Sequence, residues 1–224
     1  MTIKNLIFDL GGVILNIESA LTRQAFTRLG VPDLDILFPH NHGIELFSAY
    51  ETGKISSESF RKHLKALMHI DDLSDSDFDT AWNAMLLDLP PENLAYIKQL
   101  SQHYRTFLFS NTNEIHLTEV LNIAQRCCGV ESFADYFERE YYSFRMGMSK
   151  PDPASYLEIL RQNQLLAEET LFIDDNADNI AGASSVGIQV LHLKNPMKLT
   201  EVELIACDDS ATTNVQFSEP EVAC

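Results

Sequence analysis

The sequence predicts an α/β protein built on a doubly wound parallel sheet, with a helical subdomain inserted after the first strand. Three observations lead there. Short apolar runs recur along the chain and each ends abruptly in polar residues. Helical patterns fill the intervals between the later runs, giving the strand, helix, strand order of a parallel sheet. The first two runs are separated by roughly 90 residues, far more than one crossover helix takes.

The first run, Asn5 to Phe8, stops at Asp9 and a pair of glycines, as a central parallel strand does when it empties into a loop. Arg105 to Phe109 ends in Ser110, Asn111 and Thr112; Leu171 to Ile173 ends in Asp174, Asp175 and Asn176; Ile188 to Leu193 forms a further strand. Leu94, Ile97 and Leu100 follow the Pro90-Pro91 break at helical spacing. A second helix begins at Asp152, a residue that caps, and Pro153, which suits the first helical position, and runs through Tyr156, Leu157 and Leu160. A third starts near Asn176 and stops at Gly187. In such sheets ligands bind beyond the carboxyl ends of the strands, which is where the chain places its polar and acidic residues.

From Glu18 to Leu89 the pattern is helical throughout, and four helices are expected. Their apolar positions are Leu21, Ala25, Phe26 and Leu29 before Gly30; Ile44, Phe47 and Tyr50 before Gly53; Phe60, Leu64 and Leu67; and Phe78, Trp82 and Met85 after a Ser74 cap. The expected organisation is an α/β core over residues 1–16 and 90–206, a helical cap over 17–89 and a flexible acidic tail over 207–224. Phe47, Tyr50 and Trp82 are assigned by default to the packing of the cap.

A net charge of -17 argues against nucleic acid as a partner, because phosphate backbones are held by clustered Lys and Arg. Part of that charge is local: Glu201, Glu203, Asp208, Asp209, Glu219 and Glu221 follow Lys198 with no Lys or Arg among them. A small phosphate is still compatible with an acidic chain where a metal ion, a helix N-terminus or one placed cation makes the site positive. Cys127, Cys128, Cys207 and Cys224 have neither metal-ligand nor disulfide spacing. Asp9 interrupts the apolar N-terminal stretch, so it is read as a buried strand and not as a signal peptide. No stretch approaches the roughly 20 apolar residues that span a bilayer. A reducing, cytoplasmic setting without membrane partners is expected.

Four segments converge on one edge of the predicted sheet. Phe8-Asp9-Leu10-Gly11-Gly12 puts a carboxylate at a strand end, where it can attack phosphorus and form an acyl phosphate. The spacing of its glycines does not match a dinucleotide fingerprint. Ser110, Asn111, Thr112 and Asn113 offer a hydroxyl and backbone N–H groups at a strand-to-helix junction. Lys150, between Ser149 and Pro151, is a point charge ahead of a helix. Asp174 and Asp175 are adjacent carboxylates that repel one another unless a cation sits beside them, and magnesium is the usual ion where phosphate is also bound.

Asp9, Ser110, Lys150-Pro151 and Asp174-Asp175, in that order, resemble the motifs of the haloacid dehalogenase-like hydrolase superfamily, over the chain as far as about Ala206. Within it, the segments FDLGGVIL, FSNTNEIH, GMSKPDP and FIDDNADNI are most similar to the branch containing bacterial α-D-glucose-1-phosphate phosphatases. The resemblance implies a magnesium-dependent phosphatase of small phosphorylated metabolites. It makes Asp9 the nucleophile and a metal ligand and Gly11 a metal ligand through its carbonyl. Asp175 becomes the principal acidic ligand, with Asp174 beside it. Ser110 and Asn111 would bind phosphoryl oxygens, and Lys150 would neutralise charge around Asp9 and the phosphate.

One position departs from that pattern. Most phosphatases of the superfamily carry an Asp two residues after the nucleophile, which protonates the leaving oxygen and then activates water, work worth typically about 10² to 10⁴ in rate. This chain has Gly11 there. Either the substrate has a good leaving group, such as the anomeric oxygen of a sugar 1-phosphate, or another group substitutes, His116 being the candidate. Two other functions remain open: a phosphate-ligand-binding regulatory protein with weak or no turnover, and a carbon–halogen hydrolase using the same nucleophile. The Asp174-Asp175 pair counts against the second, whose chemistry has no use for a magnesium site.

Overall fold

The computed structural model describes residues 2–31 and 42–204, with the side chains of residues 42–44 set aside. The predicted tail, with Cys207 and Cys224, lies outside the described residues.

Five parallel strands make one sheet: β1 (Asn5–Phe8), β2 (Arg105–Ser110), β3 (Arg139–Tyr142), β4 (Thr170–Asp174) and β5 (Gln189–His192). Their spatial order is β3-β2-β1-β4-β5. The predicted doubly wound α/β class is therefore correct. The chain leaves central β1 to one side for β2 and β3, then returns to its other side for β4 and β5, so the switch point of the topology falls at the end of β1. The register sets Phe8 opposite both Leu108 and Ile173. Asp9, Ser110 and Asp174 consequently emerge at neighbouring ends of adjacent strands.

Side chains alternate across the strands, and each face has its own cover. Leu6, Phe8, Leu108 and Ile173 pack against α5 (Pro91–Leu100) and α6 (Glu114–Cys128), through Leu94, Ile97, Leu117, Val120 and Ile123. Ile7, Phe107, Phe109 and Phe172 pack on the other face with Tyr156, Ile159 and Ala183. Those last residues belong to α8 (Pro153–Asn163) and α9 (Ala177–Ser185); the single turn α7 (Ser143–Met146) follows β3. Truncating any of these fully buried aliphatic side chains to Ala is expected to cost about 2–5 kcal/mol.

Strand β3 escapes the sequence pattern. Its residues, Arg139, Glu140, Tyr141 and Tyr142, contain no apolar run because an edge strand is buried only where the two tyrosines turn inward. Two helical faces also differ from expectation. Leu157 is 51% exposed, since α8 packs through Tyr156, Ile159 and Leu160, and Leu67 is 43% exposed, since Met68 takes the inward place. The capping expectations hold: Asp152 accepts from Ala154 N ahead of Pro153, and Asn176 accepts from the N–H groups of Asp178 and Asn179.

Between β1 and α5 lie α1 (Ser19–Arg28), α2 (His42–Glu51), α3 (Ser57–Met68) and α4 (Asp75–Trp82), the last running into a 3₁₀ turn over Asn83–Met85. Phe26, Tyr50, Phe60, Leu64 and Phe78 gather in a cluster of their own, which also takes in Ile115 from α6. Polar ties reinforce that contact: Ile115 N donates to the Tyr50 hydroxyl, and the Ser57 hydroxyl donates to Glu114 Oε2 at 2.5 Å. The inserted helices thus rest on the first turn of α6, directly beyond the end of β2. Among the described residues, no helix is long and apolar enough to cross a membrane.

Candidate active site

Asp9, at the exit of β1, is held by its neighbours on both sides. Its backbone N–H donates to Ile173 O at 2.9 Å, extending the sheet by one residue, and its side chain turns towards the strand ends. Lys150 Nζ donates to Asp9 Oδ1 at 2.6 Å, to Asp174 Oδ2 at 2.8 Å and to Phe109 O at 3.0 Å. An ammonium has three donors, and all three are engaged. The lysine is placed by the loop that bears it: Asn111 takes the Lys150 backbone between both ends of its side-chain amide, accepting from Lys150 N at 2.9 Å and donating to Lys150 O at 2.8 Å.

This arrangement revises the sequence expectations for two residues. The Asn111 amide is committed to the Lys150 backbone, so any contact with phosphoryl oxygens falls to its main chain. Lys150 contributes charge and fixes the Asp9 carboxylate; its hydrogen bonds are already spent within the protein.

The acidic pair divides its labour. Asp174 is fully buried, and both of its oxygens are occupied: Asn176 N donates to Oδ1, Lys150 Nζ to Oδ2, and Asn179 Nδ2 to both. Asp175 is exposed, and among the described residues no other side chain donates to its carboxylate. That carboxylate lies against Gly12: a Cβ added there would stand 2.2 Å from Asp175 Oδ2, and the Gly12 φ of +78° already favours glycine. One carboxylate oxygen from each of Asp9, Asp174 and Asp175 lies within 4.8 Å of the other two. Three carboxylates facing one ammonium leave an excess of negative charge that a hard divalent cation with oxygen ligands would answer. The donor set fits magnesium, with Asp9 and Asp175 as the open carboxylates and Asp174 behind them.

Protonation follows from that crowding. Burial raises the Asp9 carboxyl to about 6, with Asp174 adding to the rise and Lys150 opposing it. Asp175 is raised as well, by the partial desolvation of its carboxylate and then by Asp174. Burial would push Lys150 down, but Asp9 and Asp174 together overcome it and hold the ammonium charged above its ordinary range.

Asp9, Lys150 and Asp175 border a cavity of about 490 Å³ that also takes in Gly11, Ser110, Thr112 and His116. Ser110 is buried at the end of β2, and Gly11 sits beside Ile17, whose Cδ1 lies 3.2 Å from the position of an added Cβ. The structure brings Asp9, Gly11, Ser110, Asn111, Lys150 and Asp175 around this cavity with Asp174 beside them, whereas Asn113 caps α6 by accepting from His116 N. His116 is also at the cavity, but not as an acid. Burial lowers its pKa to about 4, leaving the ring neutral at physiological pH with no additional proton for a leaving group. The sequence places Asn179 just after the acidic pair without indicating a role; its amide donates to both Asp174 oxygens from the first turn of α9.

A parallel sheet switching at β1 places Asp9 at that switch point, facing a lysine and an acidic pair, the position where ligands bind in such sheets. The haloacid dehalogenase-like hydrolase family model matches residues 3–187, and the chain belongs to that family. It is 31% identical over 193 residues to the D-ribitol-5-phosphate phosphatase of Bacteroides thetaiotaomicron, an alignment covering 86% of this chain and 93% of that protein. Among solved structures, a HAD family enzyme of Bacteroides thetaiotaomicron in complex with magnesium and inorganic phosphate superposes with a TM-score of 0.79 at 33% identity, over 87% of this chain and 96% of the other. A HAD-like family hydrolase of Porphyromonas gingivalis gives 0.77 at 31% identity, over 88% and 93%.

Proposed function

We propose that the chain is a magnesium-dependent phosphatase that hydrolyses small phosphomonoesters of sugars or polyols through an aspartyl-phosphate on Asp9. The observation that carries this reading is the Asp9 carboxylate at the end of β1, bound by Lys150 and facing Asp175 across a cavity bordered by Ser110. The kinship with a ribitol-phosphate phosphatase and with a magnesium and phosphate complex supports it.

In the first step an Asp9 oxygen attacks phosphorus, the bond from phosphorus to the ester oxygen breaks, and the alcohol leaves with a proton drawn from solvent. In the second, water attacks the phosphorus of the acyl phosphate, releasing inorganic phosphate, a proton and the free Asp9 carboxylate. Lys150 keeps Asp9 anionic and oriented, so that little reorganisation is left for the reaction itself. The Ser110 hydroxyl and the backbone around Asn111 donate to phosphoryl oxygens. Asp9, Asp175 and the Gly11 carbonyl would hold magnesium, with Asp174 beside them, and the ion supplies neutralisation of the negative charge gathered at phosphorus. The inserted helices over residues 17–89 serve as the cap that covers the leaving group.

Gly11 supplies no side chain to protonate that leaving group. Sugar 1-phosphates, with their better anomeric leaving oxygen, therefore stand beside polyol phosphates as the first substrates to try. The test is phosphate release from a panel of both classes, with and without magnesium, comparing the native chain with Asp9→Asn. Release that requires the metal and Asp9 supports the assignment. Silence across the panel, with phosphate esters still bound, would favour a non-catalytic binding protein.

A further inference from the structure

The cavity has two kinds of wall. The four strand-end segments, with Asn176, Asp178 and Asn179 at the start of α9, form one, and the other wall is lined by Leu15, Ile17, Met85, Leu86, His116 and Val120. Five of those six are apolar, so His116 is the single polar side chain on the wall away from the phosphate machinery. Its ring is firmly placed. It stacks on Trp82 at 5.1 Å between centroids with only 4° between planes, and Nδ1 lies 2.8 Å from Asn83 Oδ1. Asn83 presents an acceptor, so Nδ1 carries the ring proton and Nε2 is left as a lone pair. Among the described residues no group donates to Nε2.

A pre-oriented acceptor in an otherwise apolar wall is matched by one kind of ligand group, a donor such as an alcohol. We propose that His116 Nε2 accepts a hydrogen bond from a substrate hydroxyl, so that this site selects polyhydroxylated phosphomonoesters over alkyl ones. The inference rests on the phosphatase reading above and adds the leaving-group chemistry to it. Trp82 and Asn83 act as positioning residues: they lie at the end of α4 and in the turn after it, and they fix the plane and tautomer of a histidine on α6. The selective group is therefore assembled across the contact between the inserted helices and the core. An unmade bond at such a site leaves a polar group facing an apolar ligand, which is why hydrogen-bonding sites discriminate well against analogues lacking the hydroxyl.

The experiment uses two matched pairs on the magnesium-loaded full chain: ribitol 5-phosphate with pentyl phosphate, and glucose 1-phosphate with cyclohexyl phosphate. His116→Phe keeps an aromatic ring against Trp82 and removes Nε2; His116→Gln restores an acceptor near the Nε2 position. The expected result is a loss of about tenfold in kcat/KM for the hydroxylated member of a pair, carried mainly by KM, with the alkyl member unchanged and partial recovery in His116→Gln. Equal losses on both members, or no loss on either, would overturn the inference. The phosphatase reading is reported separately, by whether the native chain turns over any of the four. If it turns over none, calorimetric affinities for the same pairs decide: tighter binding of the hydroxylated member that His116→Phe abolishes supports the subsite, and affinities insensitive to the substitution reject it.

Discussion

Lys150 Nζ stands 2.6 Å from Asp9 Oδ1 with the lysine side chain wholly buried, so the proposed nucleophile and its counter-charge come from segments 141 residues apart. Asp174 shares the same ammonium at 2.8 Å. Removing the cation leaves two carboxylates facing each other in a poorly hydrated site. Breaking a buried pair in this way typically costs about 3–5 kcal/mol. Lys150→Met is accordingly expected to destabilise the metal-free protein by that amount at pH 7.5 in denaturant unfolding, and by less at pH 5, where Asp9 takes up a proton. A loss that is the same at both pH values would contradict this picture of the charge cluster.

Metal binding should depend on pH through Asp9. Its carboxyl is raised from the usual 3.8 to about 6. A group raised in the folded state contributes stability that is complete below the unfolded value and is lost as pH rises through the folded one. Above about pH 6 the ionised Asp9 therefore costs the metal-free fold about 3 kcal/mol. Below it, protons compete with the ion. Magnesium should raise Tm clearly at pH 7.5 and much less at pH 5, a comparison that thermal unfolding makes directly.

Gly12→Ala tests the cradle under Asp175. The new methyl would stand 2.2 Å from Asp175 Oδ2 at a residue with φ +78°, so the backbone is strained by about 1–2 kcal/mol and the carboxylate must move. Loss of ligand orientation of this sort costs about 10- to 100-fold in metal affinity, which titration calorimetry with magnesium can measure. Unchanged affinity would remove Asp175 from the ligand set.

Much of this site is legible in the sequence because strand ends are. Asp9, Ser110 and Asp174 each terminate a short apolar run, and parallel register alone then brings them together. Lys150 was legible as a cation before a helix, but not as a residue whose three donors are all used, since that depends on Phe109 O and on Asn111 grasping its backbone. β3 was hidden because edge burial falls on Tyr141 and Tyr142 only. His116 could be noticed as a histidine on a helix, yet its neutral state and tautomer come from Trp82 and Asn83, more than thirty positions away in the chain. Periodicity carries no information on contacts of that range.

Gly11 has a kinetic consequence. Without a carboxylate two residues after the nucleophile, no side chain there activates water for the second step, and that assistance is worth about 10² to 10⁴. With a substrate whose leaving oxygen needs little protonation, such as a sugar 1-phosphate, formation of the aspartyl-phosphate is spared this loss while its hydrolysis is not, so the intermediate should accumulate. A rapid burst of alcohol release, approaching one equivalent per active site and followed by slower turnover, is expected in stopped-flow measurements on the magnesium-loaded enzyme.

The covalent route through Asp9 is tested most directly by acid-quenching the magnesium-loaded enzyme during turnover of a phosphate-radiolabelled substrate and mapping the label by peptide. Label is expected on the peptide containing Asp9, absent without magnesium and absent in Asp9→Asn. Phosphate release with no protein-bound label at any time, or release that persists in Asp9→Asn, would contradict it.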